Sequence, residues 1–105
     1  MSNEFLNKEV ILEKLSSHYD QLTDYGVLEI GLFGSYARNE GTVESDIDLL
    51  VEIEKSKKTF RNFMSLSYYL EELLGKKVEL VTKQSLSPYI GPHILKTVEY
   101  AHRTG

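Results

Sequence analysis

Cysteine is the first residue type missing from this chain of 105 residues, which contains none. Without cysteine there can be neither a disulfide framework nor a thiolate metal site, and a cytoplasmic location is therefore the default expectation. Long apolar runs are missing as well, since none approaches the roughly 20 residues that span a bilayer. Residues 1–4 are polar and acidic, which argues against a secretory signal. We expect no association with a membrane.

Excess positive charge is also lacking, because the formal net charge is −4 at pH 7. Nucleic-acid-binding proteins usually concentrate positive charge, so strong nucleic-acid binding and a polymerase acting on long DNA are not expected. The lysine clusters at 55–61 and 76–83 are interpreted as solvated faces rather than as an RNA site. No repeat, low-complexity segment or flexible linker interrupts the sequence, and we predict a single domain over residues 1–105.

Hydrophobic periodicity and turn residues predict alternating helices and strands. The predicted order is a helix from Phe5 to about Asp24, a strand Val27–Phe33, a short helix Ser35–Arg38, a strand Asp46–Ile53, a helix Thr59–Leu74, a strand Val78–Val81 and a helix His93–His102. Gly26 and Gly75 are expected to end the helices that precede them. This order predicts an α/β or α+β fold in which helices flank a small mixed β-sheet.

The segment from Gly34 to Val51 carries the most specific pattern in the sequence. Gly34 and Ser35 follow an apolar strand, so they should turn the chain and present backbone N–H groups that can hold phosphate. Asp46 and Asp48 alternate with apolar residues in the next strand, which directs both carboxylates to one face about 7 Å apart along the backbone. Two carboxylates so placed repel each other unless a cation lies between them.

A third acidic residue, Glu79, occupies the predicted strand Val78–Val81. If that strand pairs beside Asp46–Ile53, the Glu79 carboxylate can approach the two aspartates. The alternative is that all three acids are merely exposed strand residues.

The pattern G-S-x10-D-x-D followed by L-L-V resembles the nucleotidyltransferase superfamily that includes DNA polymerase beta, and most closely its minimal, single-domain MNT branch. The resemblance extends from the strand before Gly34 to the strand that contains Glu79. Two departures are visible. Asn39 stands where many relatives have glycine, although asparagine also tolerates turn conformations. Glu79 stands where the third acidic residue is often aspartate.

The resemblance implies a set of site residues. Asp46, Asp48 and Glu79 would be the catalytic and metal-binding residues, with two Mg²⁺ ions clamping ATP and Glu79 acting as third ligand or as base. Gly34 and Ser35, with Arg38 and Ser45, would bind the nucleotide. Arg38 can alternatively pair with Glu40 or Glu44, and Ser45 can instead hydrogen-bond within its own loop.

The function implied by the resemblance is transfer of AMP from ATP to a hydroxyl group, with release of pyrophosphate. Because the chain is short, we expect a protein partner to bring the acceptor in a homo- or hetero-oligomer. The MNT branch implies an antitoxin that modifies a tyrosine of a HEPN-type toxin. Two alternatives remain open: a degenerate binding module that neutralises its partner by contact, and a small-molecule adenylyltransferase.

The aromatic and histidine residues give weaker indications. Tyr36 follows the phosphate turn and is a candidate for stacking on the nucleotide base. His18, His93 and His102 lack zinc-ligand spacing and are predicted to be surface or interface residues.

Overall fold

A computed structural model describes residues 6–103 of the chain. Its helices are α1 (Lys8–Ser17), α2 (Tyr19–Asp24), α3 (Gly34–Ala37), α4 (Phe60–Leu74) and α5 (Gly91–Thr97), with short 3₁₀ helices at Lys55–Lys57 and Lys83–Ser85. Its strands are β1 (Val27–Phe33), β2 (Ile47–Ile53), β3 (Val78–Thr82) and β4 (Glu99–Tyr100). The sheet has the order β3-β2-β1-β4, with β3 parallel to β2 and the other pairs antiparallel. The predicted α/β class with a mixed sheet is confirmed.

One face of the sheet packs against the helices and forms the core. Ile47, Leu49, Val51 and Ile53 alternate along β2 on this face, as predicted, and each is at most 3% exposed. The helices contribute a matching set of buried residues: Ile11, Leu15, Leu22, Leu66, Leu70 and Leu74. Because this face supplies most of the buried apolar surface, the opposite face of β2 is free to carry Asp48 and Glu52.

The predicted first helix is two helices. α1 ends at Ser17, and His18 leaves helical geometry with φ −109° before α2 begins at Tyr19. The apolar periodicity does not reveal this break, since Leu15 and Leu22 on either side of it are both fully buried in one core. Asn7 accepts a hydrogen bond from the Val10 N–H at 2.9 Å and caps the start of α1. The predicted start at Phe5 lies outside the described residues.

The α4 helix matches its prediction closely. Thr59 accepts a hydrogen bond from the Asn62 N–H at 3.1 Å at its start, and Gly75 ends it in the left-handed conformation with φ +72°. Within residues 6–103, no helix is long and apolar enough to cross a membrane.

The predicted last helix, His93–His102, is wrong in its second half. α5 ends at Thr97, Val98 is extended, and Glu99–Tyr100 form β4 against Gly31 and Leu32. Gly31 makes this pairing possible, because a Cβ atom there would lie 2.6 Å from Cγ2 of Val98. The strand therefore depends on a contact with a residue about 70 positions earlier, which the local sequence does not show.

A charged cluster lies on the second face of the sheet. Lys83 pairs with Glu29 of β1 and lies 3.7 Å from a carboxylate oxygen of Glu52 on β2, and its ammonium lies 5.3 Å from the centre of the Tyr100 ring. The hydrogen bond that Lys83 donates to the Glu29 carboxylate is the main cause of the raised pKa of Lys83. Lys83 is thus engaged with acidic residues of β1 and β2.

Candidate active site

Three strands bring their acidic and glycine residues to one end of the sheet. β1 runs antiparallel to β2, so the end of β1 meets the start of β2, and Phe33 pairs with Asp48. β3 runs parallel to β2, and Glu79 pairs with Asp48 from the other side. The strand pairing on which the approach of Glu79 depends is therefore present. Asp48 lies between the residue that precedes the Gly34 turn and the third acidic residue.

Asp48 is the most perturbed ionisable group of the site. Its pKa is raised from 3.8 to about 6, first by burial, then by the neighbouring negative charges of Glu79 and Asp46, and it is lowered in part by Arg38. Asp48 is half-buried, whereas Asp46 and Glu79 are exposed. The two exposed carboxylates concentrate negative charge around a partly desolvated one, which favours a cation or a proton at this point.

Gly34 is packed directly against Asp48. It has φ +77°, a backbone conformation that residues with a side chain rarely adopt. A Cβ atom at this position would lie 2.9 Å from Cγ of Asp48 and would collide with its Oδ2 oxygen. Both the turn and the carboxylate thus require glycine here, so the predicted phosphate turn and the predicted metal-binding residue are in contact.

The loop that leads to Asp46 is held by its own polar groups. Ser45 Oγ accepts a hydrogen bond from the Thr42 N–H at 3.0 Å, and the Ser45 N–H donates to the Thr42 carbonyl at 3.0 Å. Lys76 donates from Nζ to the Val43 carbonyl at 2.9 Å and ties the loop to the turn before β3. The expectation that Ser45 hydrogen-bonds within the loop is confirmed, and its role in nucleotide binding stays a prediction.

Tyr36 is a structural residue, and the idea that it stacks on a base is wrong. Its ring is only 5% exposed, and its hydroxyl donates to the Thr42 carbonyl at 3.1 Å. Gly41 leaves room for it, because a Cβ atom there would lie 2.5 Å from the ring. The sequence placed Tyr36 beside the phosphate turn but did not show that the short helix α3 directs its side chain inward.

Arg38 makes one of the two interactions considered for it, the ion pair with Glu40, and its contact with the nucleotide stays a prediction. Its Nε donates to Glu40 at 3.0 Å, while its charge lowers the pKa of Asp48. Arg38 is more than half exposed and so remains available to an anionic ligand. The next residue, Asn39, has φ +59°, so asparagine accepts the left-handed conformation for which many relatives use glycine.

No group of three or more His, Cys, Asp or Glu side chains in residues 6–103 could hold a metal ion by itself. The available donors at Asp46, Asp48 and Glu79 are nevertheless all carboxylate oxygens, the ligands that Mg²⁺ prefers. Mg²⁺ usually binds through one or two carboxylates together with substrate phosphates and water. The site therefore fits an ion whose coordination the nucleotide completes.

A cleft of about 350 Å³ opens on the β3 side of Asp48. Asp48 and Glu79 lie on its acidic side, and Ser85 and Ser87 contribute hydroxyl groups. Its remaining wall is apolar and is formed by Phe33, Val81, Leu86, Ile90 and Ile94. No catalytic or binding residue was predicted between positions 82 and 95. The available signal was the pair Ile90 and Ile94, which lie one helical turn apart.

Residues 8–102, which contain all of these site features, match the family model of the nucleotidyltransferase domain. The chain is 43% identical over 96 residues to the protein adenylyltransferase MntA of Thermococcus cleftensis, an alignment that covers 90% of this chain and 96% of the relative. The family match over residues 8–102 spans the phosphate turn, all three acidic residues and the segment around the cleft.

Solved structures show the same fold. A protein provisionally described as a minimal nucleotidyltransferase superposes with a TM-score of 0.79 at 28% identity, covering 91% of this chain and 97% of that one. A toxin–antitoxin structure with AMP-PNP gives 0.67 at 25% identity and covers 94% and 75% of the two chains. A complex of a tri-AMPylated Shewanella oneidensis HEPN toxin with its MNT antitoxin gives 0.64 at 22% identity over 92% and 73%, which bears on the fold alone.

Three findings lead to the same family: the sequence match over residues 8–102, the mixed sheet and the Gly34–Asp48 contact. The chain belongs to the nucleotidyltransferase-domain family and is a transferase of the MNT-type, minimal branch.

Proposed function

We propose that this protein transfers AMP from ATP to a tyrosine hydroxyl of a HEPN-type toxin and thereby acts as its antitoxin. The observation that carries the proposal is the contact between the Gly34 turn and Asp48, with Glu79 paired on the other side of Asp48. This arrangement joins a phosphate-binding turn to a set of oxygen donors at one end of the sheet.

Each predicted residue has a role in this reaction. The backbone at Gly34 and the hydroxyl of Ser35 bind the phosphates of ATP, and Arg38 stabilises the departing pyrophosphate. Ser45 holds the loop that delivers Asp46, through its hydrogen bonds with Thr42. Arg38 is the cationic side chain whose charge is felt at Asp48, which supports its assignment to the phosphate side.

Asp46, Asp48 and Glu79 would hold Mg²⁺, two ions by resemblance to the family. When bound, Mg²⁺ neutralises phosphate oxygens and lowers the barrier to attack at the α-phosphorus. The raised pKa of Asp48 supports this assignment, because it arises from burial and then from the neighbouring negative charges of Glu79 and Asp46, and a cation would compensate both effects.

The covalent change is one exchange at phosphorus. The acceptor oxygen forms a bond to the α-phosphorus of ATP, the bond to the pyrophosphate oxygen breaks, and the hydroxyl proton passes to a carboxylate of the site. Glu79 is the base that we assign, because it pairs with Asp48 in register and is exposed toward an incoming acceptor. The products are the AMP-modified hydroxyl and pyrophosphate.

The choice of partner rests on the relatives. The Thermococcus cleftensis relative is a protein adenylyltransferase, and the structural relative at 25% identity is a toxin–antitoxin assembly with AMP-PNP. In the Shewanella oneidensis complex the HEPN toxin carries AMP groups. A protein acceptor and a nucleotide substrate are therefore consistent with both lines of similarity.

A contact-only antitoxin is the second candidate. One observation favours it: Glu79 stands where the third acidic residue of relatives is often aspartate. In this case the protein would neutralise its partner by binding it, and the carboxylates would not be needed.

Growth protection separates the two candidates. Cells expressing a HEPN-type toxin that the protein binds would receive the wild-type protein or the Asp46→Asn/Asp48→Asn double variant. The proposal predicts that only the wild type restores growth, although both proteins accumulate and bind the toxin. Full protection by the double variant would favour the contact-only antitoxin.

A further inference from the structure

We propose that the cleft between the acidic residues and α5 is the acceptor subsite, and that it receives the tyrosine side chain of the partner protein. This inference rests on the proposed function. It assigns Ile90 and Ile94 as the residues that select an aromatic acceptor, and it assigns the surface around α5 as the docking site of that partner.

The chemistry of the cleft fits a phenol. Its apolar wall, which includes Leu86, Ile90 and Ile94, suits the ring, while Asp48 and Glu79 lie on the side where the hydroxyl must be. Tyrosine combines an apolar ring with one polar end and matches this division. A serine or threonine acceptor would leave the apolar wall without a partner.

The cleft does not suit the phosphates of ATP. No lysine or arginine lines it, and both of its charged residues are negative. Gly34 and Ser35 are absent from its lining, whereas Arg38, which acts on Asp48, lies in the segment that follows them. Asp48 thus separates a phosphate side, formed by residues 34–38, from an acceptor side formed by β3 and α5.

The rim of the cleft is exposed and apolar. Three residues form this α5 rim: Tyr89 is 92% exposed, Ile90 54% and Leu95 48%. Large apolar side chains next to a cleft mark a site of macromolecular contact, because a small acceptor would leave them in water. The rim is continuous with the cleft through Ile90, so a protein that docks on it can deliver a tyrosine to Asp48 and Glu79.

Two probes test the assignment on the full-length, ¹⁵N-labelled protein by NMR. N-acetyl-tyrosinamide represents the acceptor, and AMP-PNP with Mg²⁺ represents the nucleotide. We expect N-acetyl-tyrosinamide to shift the amide signals of Glu79 and of residues 85–94 other than Pro88 and Pro92. We expect AMP-PNP to shift those of Gly34 and Ser35 and to leave Ile90 and Ile94 unchanged.

A matched pair of variants measures the contribution of the apolar wall. Ile90→Ser should weaken N-acetyl-tyrosinamide binding about five- to tenfold and leave AMP-PNP affinity within about twofold, as expected for one lost apolar contact. Leu28→Ser is the control, since Leu28 is 55% exposed, nearly the same as Ile90, and does not line the cleft. It should change neither affinity.

The outcomes separate this inference from the proposed function. Two results would overturn the acceptor subsite even if AMP transfer is observed. The tyrosinamide shifts could map outside the cleft, or AMP-PNP could shift the signals of Ile90 and Ile94 and so assign the cleft to the nucleotide base. Tyrosinamide binding in the cleft that is weakened by Ile90→Ser supports the acceptor subsite. Failure to detect AMP transfer to protein would count against the proposed function alone and would leave that support in place.

Discussion

Asp48 is the residue at which the stability and the chemistry of the site conflict. It is half-buried next to two exposed carboxylates, and its pKa is raised to about 6. At neutral pH and without a cation, the protein must therefore hold an ionised group where a neutral one would be more stable. Sites of this kind often trade folding stability for function.

The first prediction concerns this conflict. The pKa of Asp48 is higher in the folded than in the unfolded chain, so the folded state retains the proton longer as pH rises from about 4 to 6. Its contribution to stability is complete below pH 3.8 and is lost as pH rises through about 6. Asp48→Asn, which cannot ionise, should therefore increase the free energy of unfolding at pH 7.5 by about 1–2 kcal/mol, a value reduced for solvent screening.

Urea unfolding in the presence of EDTA provides the measurement. The advantage of Asp48→Asn should shrink toward zero at pH 4, where the wild-type carboxyl is protonated. A constant difference between the two proteins at pH 4 and pH 7.5 would contradict the burial and repulsion that we assign to Asp48.

The second prediction concerns the Gly34 turn. Gly34→Ala must tolerate φ +77° and a collision with the Asp48 carboxylate, whereas Gly75→Ala meets φ +72° with nothing within 4 Å. Gly75→Ala should lose about 1 kcal/mol of stability, and Gly34→Ala about 1–3 kcal/mol more. Urea unfolding measures both changes, and equal losses would show that Asp48 does not press on Gly34.

The same pair of variants also reports on nucleotide binding. Gly34→Ala displaces Asp48 and adds a methyl group where the phosphates approach, so AMP-PNP affinity measured by calorimetry should fall at least tenfold. Gly75→Ala should retain wild-type affinity.

At the level of secondary structure, periodicity correctly predicted the helices and strands whose bounds are set by nearby residues. β1 has the predicted bounds, and α4 begins after Thr59 and ends before Gly75 as expected. The strand β4 was missed because it depends on distant pairing, and the break at His18 was missed because the apolar periodicity continues across it. Propensity gives way to tertiary contacts at such positions.

The features of the site likewise fall into those that a local sequence pattern predicts and those that it does not. The position of Asp48 in a strand and the possible approach of Glu79 could be predicted because side chains in a strand have a period of two. The predicted strand began one residue too early, since β2 starts at Ile47 and Asp46 lies just before it. The cleft could not be predicted, since its walls come from Phe33, Val81 and residues 85–94, and no local pattern states that these segments meet. The inward direction of Tyr36 was missed for the same reason.

The third prediction concerns the start of α4. Thr59→Ala removes the side-chain oxygen that accepts from the Asn62 N–H and should reduce the free energy of unfolding by about 1 kcal/mol. Ser65→Ala, an exposed change inside the same helix, should be neutral or slightly stabilising. A loss as large for Ser65→Ala as for Thr59→Ala in urea unfolding would contradict the capping role.

At the scale of the whole molecule, the sheet separates stability from chemistry. Its core face packs on α1, α2 and α4, while the turn, the carboxylates and the cleft lie at one end of the strands. Conservative changes at Asp46 and Asp48 should therefore leave the fold intact. Loss of activity in such variants can be attributed to the site rather than to unfolding.

In the acceptor subsite that we propose, the same arrangement would give the partner a defined approach. The α5 rim, consisting of Tyr89, Ile90 and Leu95, borders the cleft, and the net charge of −4 disfavours nucleic acid as the macromolecule that binds there. A protein acceptor therefore agrees with both the shape and the charge of the molecule.

The proposed transfer of AMP to the toxin can be measured by labelling. The wild-type protein and Asp48→Asn would each be incubated with the HEPN-type toxin, Mg²⁺ and ATP labelled at the α-phosphate, and the toxin then analysed by autoradiography and mass spectrometry. We expect one or more AMP groups on a toxin tyrosine with the wild type and none with Asp48→Asn. Equal labelling by both proteins, or an unlabelled toxin that the wild type nevertheless inactivates, would contradict the proposed transfer.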